Sequence, residues 1–285
     1  MRKAYRVLRL TGNEFRKWAG SKRMLAVALM LFTAAHFFVS PMRHYCRDTG
    51  CRTTPFIFPH LVTRGYVVPT LLFLAAILFC NAPFMDNLST YEIARSGKKR
   101  WFAGKLLYVY AASFVYVAVL FSLTLLLVAR YLVWIGEWGK VITTLSLTTA
   151  GYSYDLAFFS DHILKNYGPI QATLLTFLML WLQTALVGTM IFAANLLAKR
   201  SRFLGVLLGA LYGAAPLFYG LWDEAEMITF FPAMWSIPYF LKPHIPGVPV
   251  TYASAFWLLA LFIVALSLAS WLLFRKRDLD IYPEL

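Results

Sequence analysis

Asp86-Asn-Leu-Ser-Thr-Tyr-Glu-Ile-Ala-Arg-Ser-Gly-Lys-Lys-Arg-Trp-Phe-Ala-Gly-Lys105 is a short island between two long apolar runs, and its reading decides the fold. The flanking runs are too apolar to face water, so the island is a loop outside the hydrocarbon joining two membrane-spanning helices. Lys98, Lys99, Arg100 and Lys105 place that loop on the cytoplasmic side. Ser89 suits a helix N-cap with Glu92 completing a capping box, and Gly97 suits a left-handed stop two residues after Arg95. The island thus reads as a short helix lying across the membrane face. Trp101 and Phe102 are expected to seat the next segment at the headgroup level. The plainer reading is a basic loop obeying the positive-inside rule.

Composition sets the class. Of 285 residues, 60% are hydrophobic, 17% aromatic and only 14% charged, which excludes an ordinary soluble domain and defines a polytopic, all-α membrane protein. The net charge of +14 does not indicate nucleic acid, because the basic residues sit at the ends of apolar runs. It indicates orientation in, and contact with, a lipid bilayer.

Outward from the island the chain divides into six expected spans, at about 24–39, 66–84, 106–132, 169–198, 203–221 and 251–274. Residues 1–23 carry eight basic residues and one acid, with Tyr5, Leu8, Phe15 and Trp18 as an apolar stripe, and are expected to form an interfacial helix. The stretch is too long and mixed for a cleavable signal peptide, so the first span is expected to remain as an anchor. Ser40 to Arg64 reads as an outer loop in which Cys46 and Cys51 are a disulfide candidate, two free thiols being the other reading. Gly139 to Ala157 reads as an external loop with a short surface helix. Gln183 and Asn195 read as amides facing a helix neighbour, and Gly205, Gly209 and Gly213 as a close-approach stripe toward another span or a second protomer. Residues 223–250, broken by Pro232 and Pro238, read as re-entrant or surface helices before the last span. With both termini cytoplasmic, the inner segments hold 19 Lys and Arg against six acids and the outer segments eight against seven, a bias in favour of this topology.

The order Tyr91, Glu92, Arg95, Gly97, Lys98, Lys99, Arg100, Trp101, Gly104 and Lys105, opening a long apolar helix, resembles the first cytoplasmic loop of ABC exporter permeases of the type 2 membrane-subunit family. The six spans, the interfacial N-terminal helix and the broken helices before span six resemble that family's plan over nearly the whole chain. The resemblance implies a single permease domain (1–285) whose loop 86–105 holds a coupling helix docking on a separate ABC ATPase in the plasma membrane. It implies a second permease copy or paralogue, with ATP and Mg bound by the ATPase. Ser89, Glu92, Arg95, Gly97, Lys98, Lys99, Arg100 and Trp101 become the ATPase contacts, and Phe73, Asn81, Tyr212 and Tyr219 candidates for the translocation path.

The chain carries no phosphate-cradling loop of its own: Gly97-Lys98, Gly104-Lys105 and Gly139-Lys140 each lack the earlier glycine and the following Ser or Thr. The five histidines are dispersed, with no metal-binding pair, and the expected spans contain no acid, which weakens an ion-driven carrier. His36, inside span one, reads as a packed, hydrogen-bonded residue. A peptide, lipid or drug is the expected cargo class. The alternatives are a membrane scaffold or sensor that recruits a cytoplasmic partner, or a membrane enzyme acting on lipid-like substrates.

Overall fold

The computed structural model describes residues 2–85, 89–198, 203–218, 228–241 and 249–276, and among these all regular structure is helical apart from one isolated bridge between Thr53 and Leu132. Among the described residues the fold is organised by α1 (Arg2–Arg16), α2 (Lys22–Thr49), α3 (Phe58–Val62), α4 (Val67–Phe79), α5 (Ser89–Ser96), α6 (Lys98–Val128), α7 (Gly139–Leu147), α8 (Asp161–Asn166), α9 (Pro169–Leu197), α10 (Phe203–Ala214) and α11 (Tyr252–Lys276). Four of them, α2, α6, α9 and α11, are long and apolar enough to cross a membrane. The chain is an α-helical, multi-pass membrane protein.

The helices α4 and α10 are shorter. At 13 residues α4 spans ~20 Å, against a hydrocarbon core of ~30 Å. Span 66–84 was expected to run on to Phe84, but the helix is capped at Cys80 and a turn follows through the cis Ala82–Pro83 bond, since proline offers no N–H to continue a helical ladder. The first span departs in the other direction: α2 continues past Pro41 to Thr49, where Gly50 at φ +66° ends it.

The helix α9 lies at the centre, touching α4, α6, α10 and α11. Small residues permit this crowding. A Cβ on Gly188 would sit 2.6 Å from Val109 and 2.9 Å from Phe79, so α4 and α6 both close on α9 there. The stripe Gly205, Gly209 and Gly213 is buried and seats α10 within its own chain, Gly205 against Asn195, Gly209 against Ile191 and Ala76, and Gly213 against Leu72. Polar groups bond across the same contacts. The Tyr116 hydroxyl donates to the Leu71 carbonyl at 2.9 Å, Trp181 Nε1 to the Tyr110 carbonyl at 3.0 Å, and Tyr110 shares a 2.6 Å bond with Ser267. The amides face neighbours as expected. Gln183 donates to the Pro232 carbonyl and accepts from the Tyr212 hydroxyl, while Asn195 Nδ2 donates to the carbonyls of Ala82 at 2.7 Å and Cys80 at 3.1 Å. The turns Pro232–Ser236 and Pro238–Phe240 are buried against this core.

Where an external loop was expected, the chain instead builds a second packed cluster. Val39, Met42 and Cys46 of α2, Ile57 and Leu61 around α3, and Val141, Ile142, Leu145, Leu156 and Phe159 of the 139–166 region share one apolar core. Thr54 donates to the Trp138 carbonyl at 2.8 Å and Thr63 to the Phe158 carbonyl at 2.7 Å. Arg64 bonds the carboxylate of Asp155 and stacks between the Tyr66 and Phe158 rings, and burial lowers its pKa. His60 is completely buried, stacked on Phe159 at 4.6 Å, and desolvation pushes its pKa down to about 3.

This lobe also bears on the cysteines. Cys46 and Cys51, the disulfide candidate, are free thiols here: helix continues where a loop was expected, leaving Cys46 buried inside α2 and Cys51 exposed beyond the Gly50 cap. His36 is hydrogen-bonded as expected, to Arg43 at 3.1 Å, but its side chain lies on the exposed face of α2 and is not packed.

Candidate functional site

The described part of the island, 89–105, divides at Gly97. Ser89–Ser96 form α5, the residues after Gly97 are already the first two turns of α6, and Gly97 at φ +85° makes the break, in the region where a side chain is strained. The basic run Lys98–Lys105 therefore belongs to a helix long and apolar enough to cross a membrane, which starts eight residues before the expected Leu106. Ser96 Oγ donates to the Glu92 carbonyl at 2.6 Å and Arg100 donates to the Ser96 carbonyl at 3.1 Å, satisfying carbonyls at the end of α5.

The short helix α5 has two faces. Ser89 and Ile93 are buried, whereas Thr90, Tyr91, Ala94 and Arg95 are exposed, as is Lys99 just beyond the break. Tyr91 presents an aromatic ring with 66% of its surface open, one helical turn from the exposed Arg95, an arrangement suited to docking.

The inner side is held by a buried ion cluster on Lys105, which is 1% exposed. Its ammonium donates to Glu14 Oε1 of α1 at 2.6 Å and to the Phe84 carbonyl at 3.2 Å, and lies 3.7 Å from Glu92 Oε2 of α5. Glu92 Oε2 also accepts from Trp101 Nε1 at 3.2 Å, and the ammonium stands over the Trp101 ring at 5.1 Å. Lys17 pairs with Glu14 at 2.8 Å. One lysine on α6 thus ties together α1, the turn before α5, and α5 itself. A buried ion pair is costly unless such partners satisfy it, and here two carboxylates and a carbonyl do so.

Several expected contacts are relocated by this geometry. Trp101 is fully buried and stacked on Phe274 of α11 at 5.4 Å, so it anchors the start of α6 and neither meets a partner nor sits among headgroups. Phe102 likewise packs on Phe192, Trp271 and Phe274. Glu92 turns inward. Arg95 and Lys99 remain outward, and Lys98 and Arg100 are half-buried. Phe73 is exposed on α4 and Asn81 is exposed in the turn after it, while Tyr212 is bonded to Gln183 inside the bundle. These three do not converge on one wall, and Tyr219 lies outside the described residues.

Part of the α1 stripe also turns inward. Phe15 and Trp18 pack on α6, where Trp18 Nε1 donates to the Tyr108 hydroxyl at 2.8 Å, while Tyr5 and Leu8 stay exposed. Sequence reasoning missed Glu14 altogether. Its signal was a lone acid among eight basic residues, on the same face as Thr11, Phe15 and Trp18.

Compared with protein-family models, curated proteins and solved structures, the chain matches none.

Proposed function

We propose that this chain is the membrane-spanning permease subunit of an ATP-driven exporter, with α5 as the helix that docks on a separate ATPase. The observation that carries the reading is the division of α5: Tyr91 and Arg95 face outward while Glu92 and Ile93 hold the helix to α6 through Lys105, Trp101 and packing. A push on the exposed face is thereby delivered to a helix long enough to cross the membrane. In this reading α4 with its following turn and α10 with the turn to Phe218 complete six crossings, both termini are cytoplasmic, and the membrane is the plasma membrane. ATP and Mg belong to the ATPase. A second permease copy or paralogue completes the transporter, and the exposed Phe73 of α4 belongs to the surface such a copy would meet. The aromatic content favours an amphipathic cargo such as a peptide, lipid or drug.

The test is co-purification from native membranes. The chain, tagged and extracted in mild detergent, is expected to bring down an ABC ATPase in near-stoichiometric amount. If a kinase or regulator comes down in its place, the scaffold or sensor reading takes over.

A further inference from the structure

We propose that Lys105 is a positioning residue through which the N-terminal helix α1 sets the pose of the docking helix α5. This rests on reading α5 as the docking element. The acceptors around the ammonium come from separate parts of the chain: Glu14 from α1, the Phe84 carbonyl from the turn before α5, and Glu92 from α5. They are not equivalent. The ammonium is hydrogen-bonded to Glu14 at 2.6 Å but only ion-paired with Glu92 at 3.7 Å, and the direct donor to Glu92 is Trp101. The two carboxylates therefore compete for one buried cation.

Among the described residues, withdrawal of Glu14 leaves Glu92 as the remaining carboxylate for Lys105, and the attraction between them is weakly screened at 1% exposure. The helix α5 is free to respond, because it is eight residues long and joined to α6 at Gly97, whose φ of +85° makes a pivot. The helix α1 is itself docked on α6 at Gly104 by the Thr11 hydroxyl, one residue from Lys105, so displacement of α1 and loss of the Glu14 bond are the same event. By reciprocity, a partner that moves α5 toward Lys105 loosens the hold on α1. The N-terminal helix becomes a regulator of docking.

Spin labels at Arg95→Cys on α5 and Trp134→Cys beyond the far end of α6, both on exposed positions, report the pose of α5 by pulsed dipolar spectroscopy. The chain is studied in lipid nanodiscs with Cys46, Cys51 and Cys80 replaced. Glu14→Gln is expected to shift the Arg95–Trp134 distance distribution. Lys17→Met, which removes the partly exposed partner of Glu14, is expected to leave it at wild type. In a Lys105→Met background Glu14→Gln is expected to add nothing. An unchanged distribution in Glu14→Gln, or an equal shift with Met at 105, overturns the proposal. Should Glu14→Gln not fold, Glu14→Asp keeps the charge and shortens the reach; it is expected to give a smaller shift, and none would again overturn it. No ATPase enters the measurement, so its failure leaves the docking reading standing.

Discussion

The Thr11 hydroxyl donates to the Gly104 carbonyl at 3.0 Å, and at this point α1 lies flat against α6. Glycine is required there: a Cβ would stand 2.9 Å from Leu10 Cβ and 3.5 Å from the Val7 carbonyl. Gly104→Val is expected to destabilise the protein by about 1–3 kcal/mol, the usual cost of overpacking, read as a lower thermal midpoint in detergent. Gly12→Ala on α1 meets nothing within 4 Å, and is expected to raise the midpoint through better helix propensity. An equal loss in both variants would show that α1 is not docked as described.

Gln183 joins three elements by taking the Tyr212 hydroxyl of α10 and giving its amide to the Pro232 carbonyl. Gln183→Leu leaves both groups buried without that partner, and is expected to cost about 1–3 kcal/mol. Adding Tyr212→Phe removes one orphaned hydroxyl, so the double variant is expected to recover part of the loss. Thermal unfolding of the four proteins in one detergent gives the coupling directly; strictly additive losses would argue against the bond.

A Cβ at Gly213 would lie 2.9 Å from Leu72 Cβ, whereas Leu211 on the same helix is 61% exposed. Gly213→Val is expected to lower the thermal midpoint by pushing α10 off α4, and Leu211→Val to leave it nearly unchanged. Equal effects at the two positions would place the glycine stripe on the outside of the bundle.

His60 gives the second packed lobe an acid limit. Its folded pKa of about 3 lies below the ordinary 6.5, so neutral His60 contributes stability that is complete above pH 6.5 and is lost as pH falls toward 3. At pH 5 the expected loss is ~2 kcal/mol. His60→Gln, which keeps an acceptor for the Ser160 N–H that now reaches Nδ1 at 3.5 Å, is expected to flatten the dependence between pH 6.5 and 5. Proteolysis of the 139–166 region across this range checks it, and an unchanged pH profile in the variant would assign the acid lability to other groups.

Much of the architecture was legible because it is written in local pattern. Long apolar runs define α2, α6, α9 and α11, and Gly97 marks the end of α5 since only a residue tolerant of positive φ suits the break. The stripe Gly205, Gly209 and Gly213 announced a close helix contact without saying with which helix. What escaped is long-range. Nothing in the spacing around Lys105 points to Glu14, 91 positions away, and a lysine beside Lys98, Lys99 and Arg100 reads as a surface charge until its burial is known. Trp101 was misplaced for the same reason, because an aromatic after a basic run suits a headgroup belt as well as a stack on Phe274. The 139–166 lobe was read as a loop with a short surface helix because its pieces are short helices whose packed core is not visible until α2 and α3 supply the other half.

The most direct test of the docking claim is ATP hydrolysis by the co-purified complex in lipid nanodiscs, comparing wild type with Tyr91→Ala/Arg95→Glu on the outward face and with Lys165→Glu, exposed on α8 far along the chain. The outward double variant is expected to retain membrane insertion but lose the ATPase from the complex, or to lower permease-stimulated hydrolysis at least tenfold, while Lys165→Glu behaves as wild type. Full hydrolysis and full recovery of the ATPase in the double variant would contradict the assignment of α5 as the docking helix.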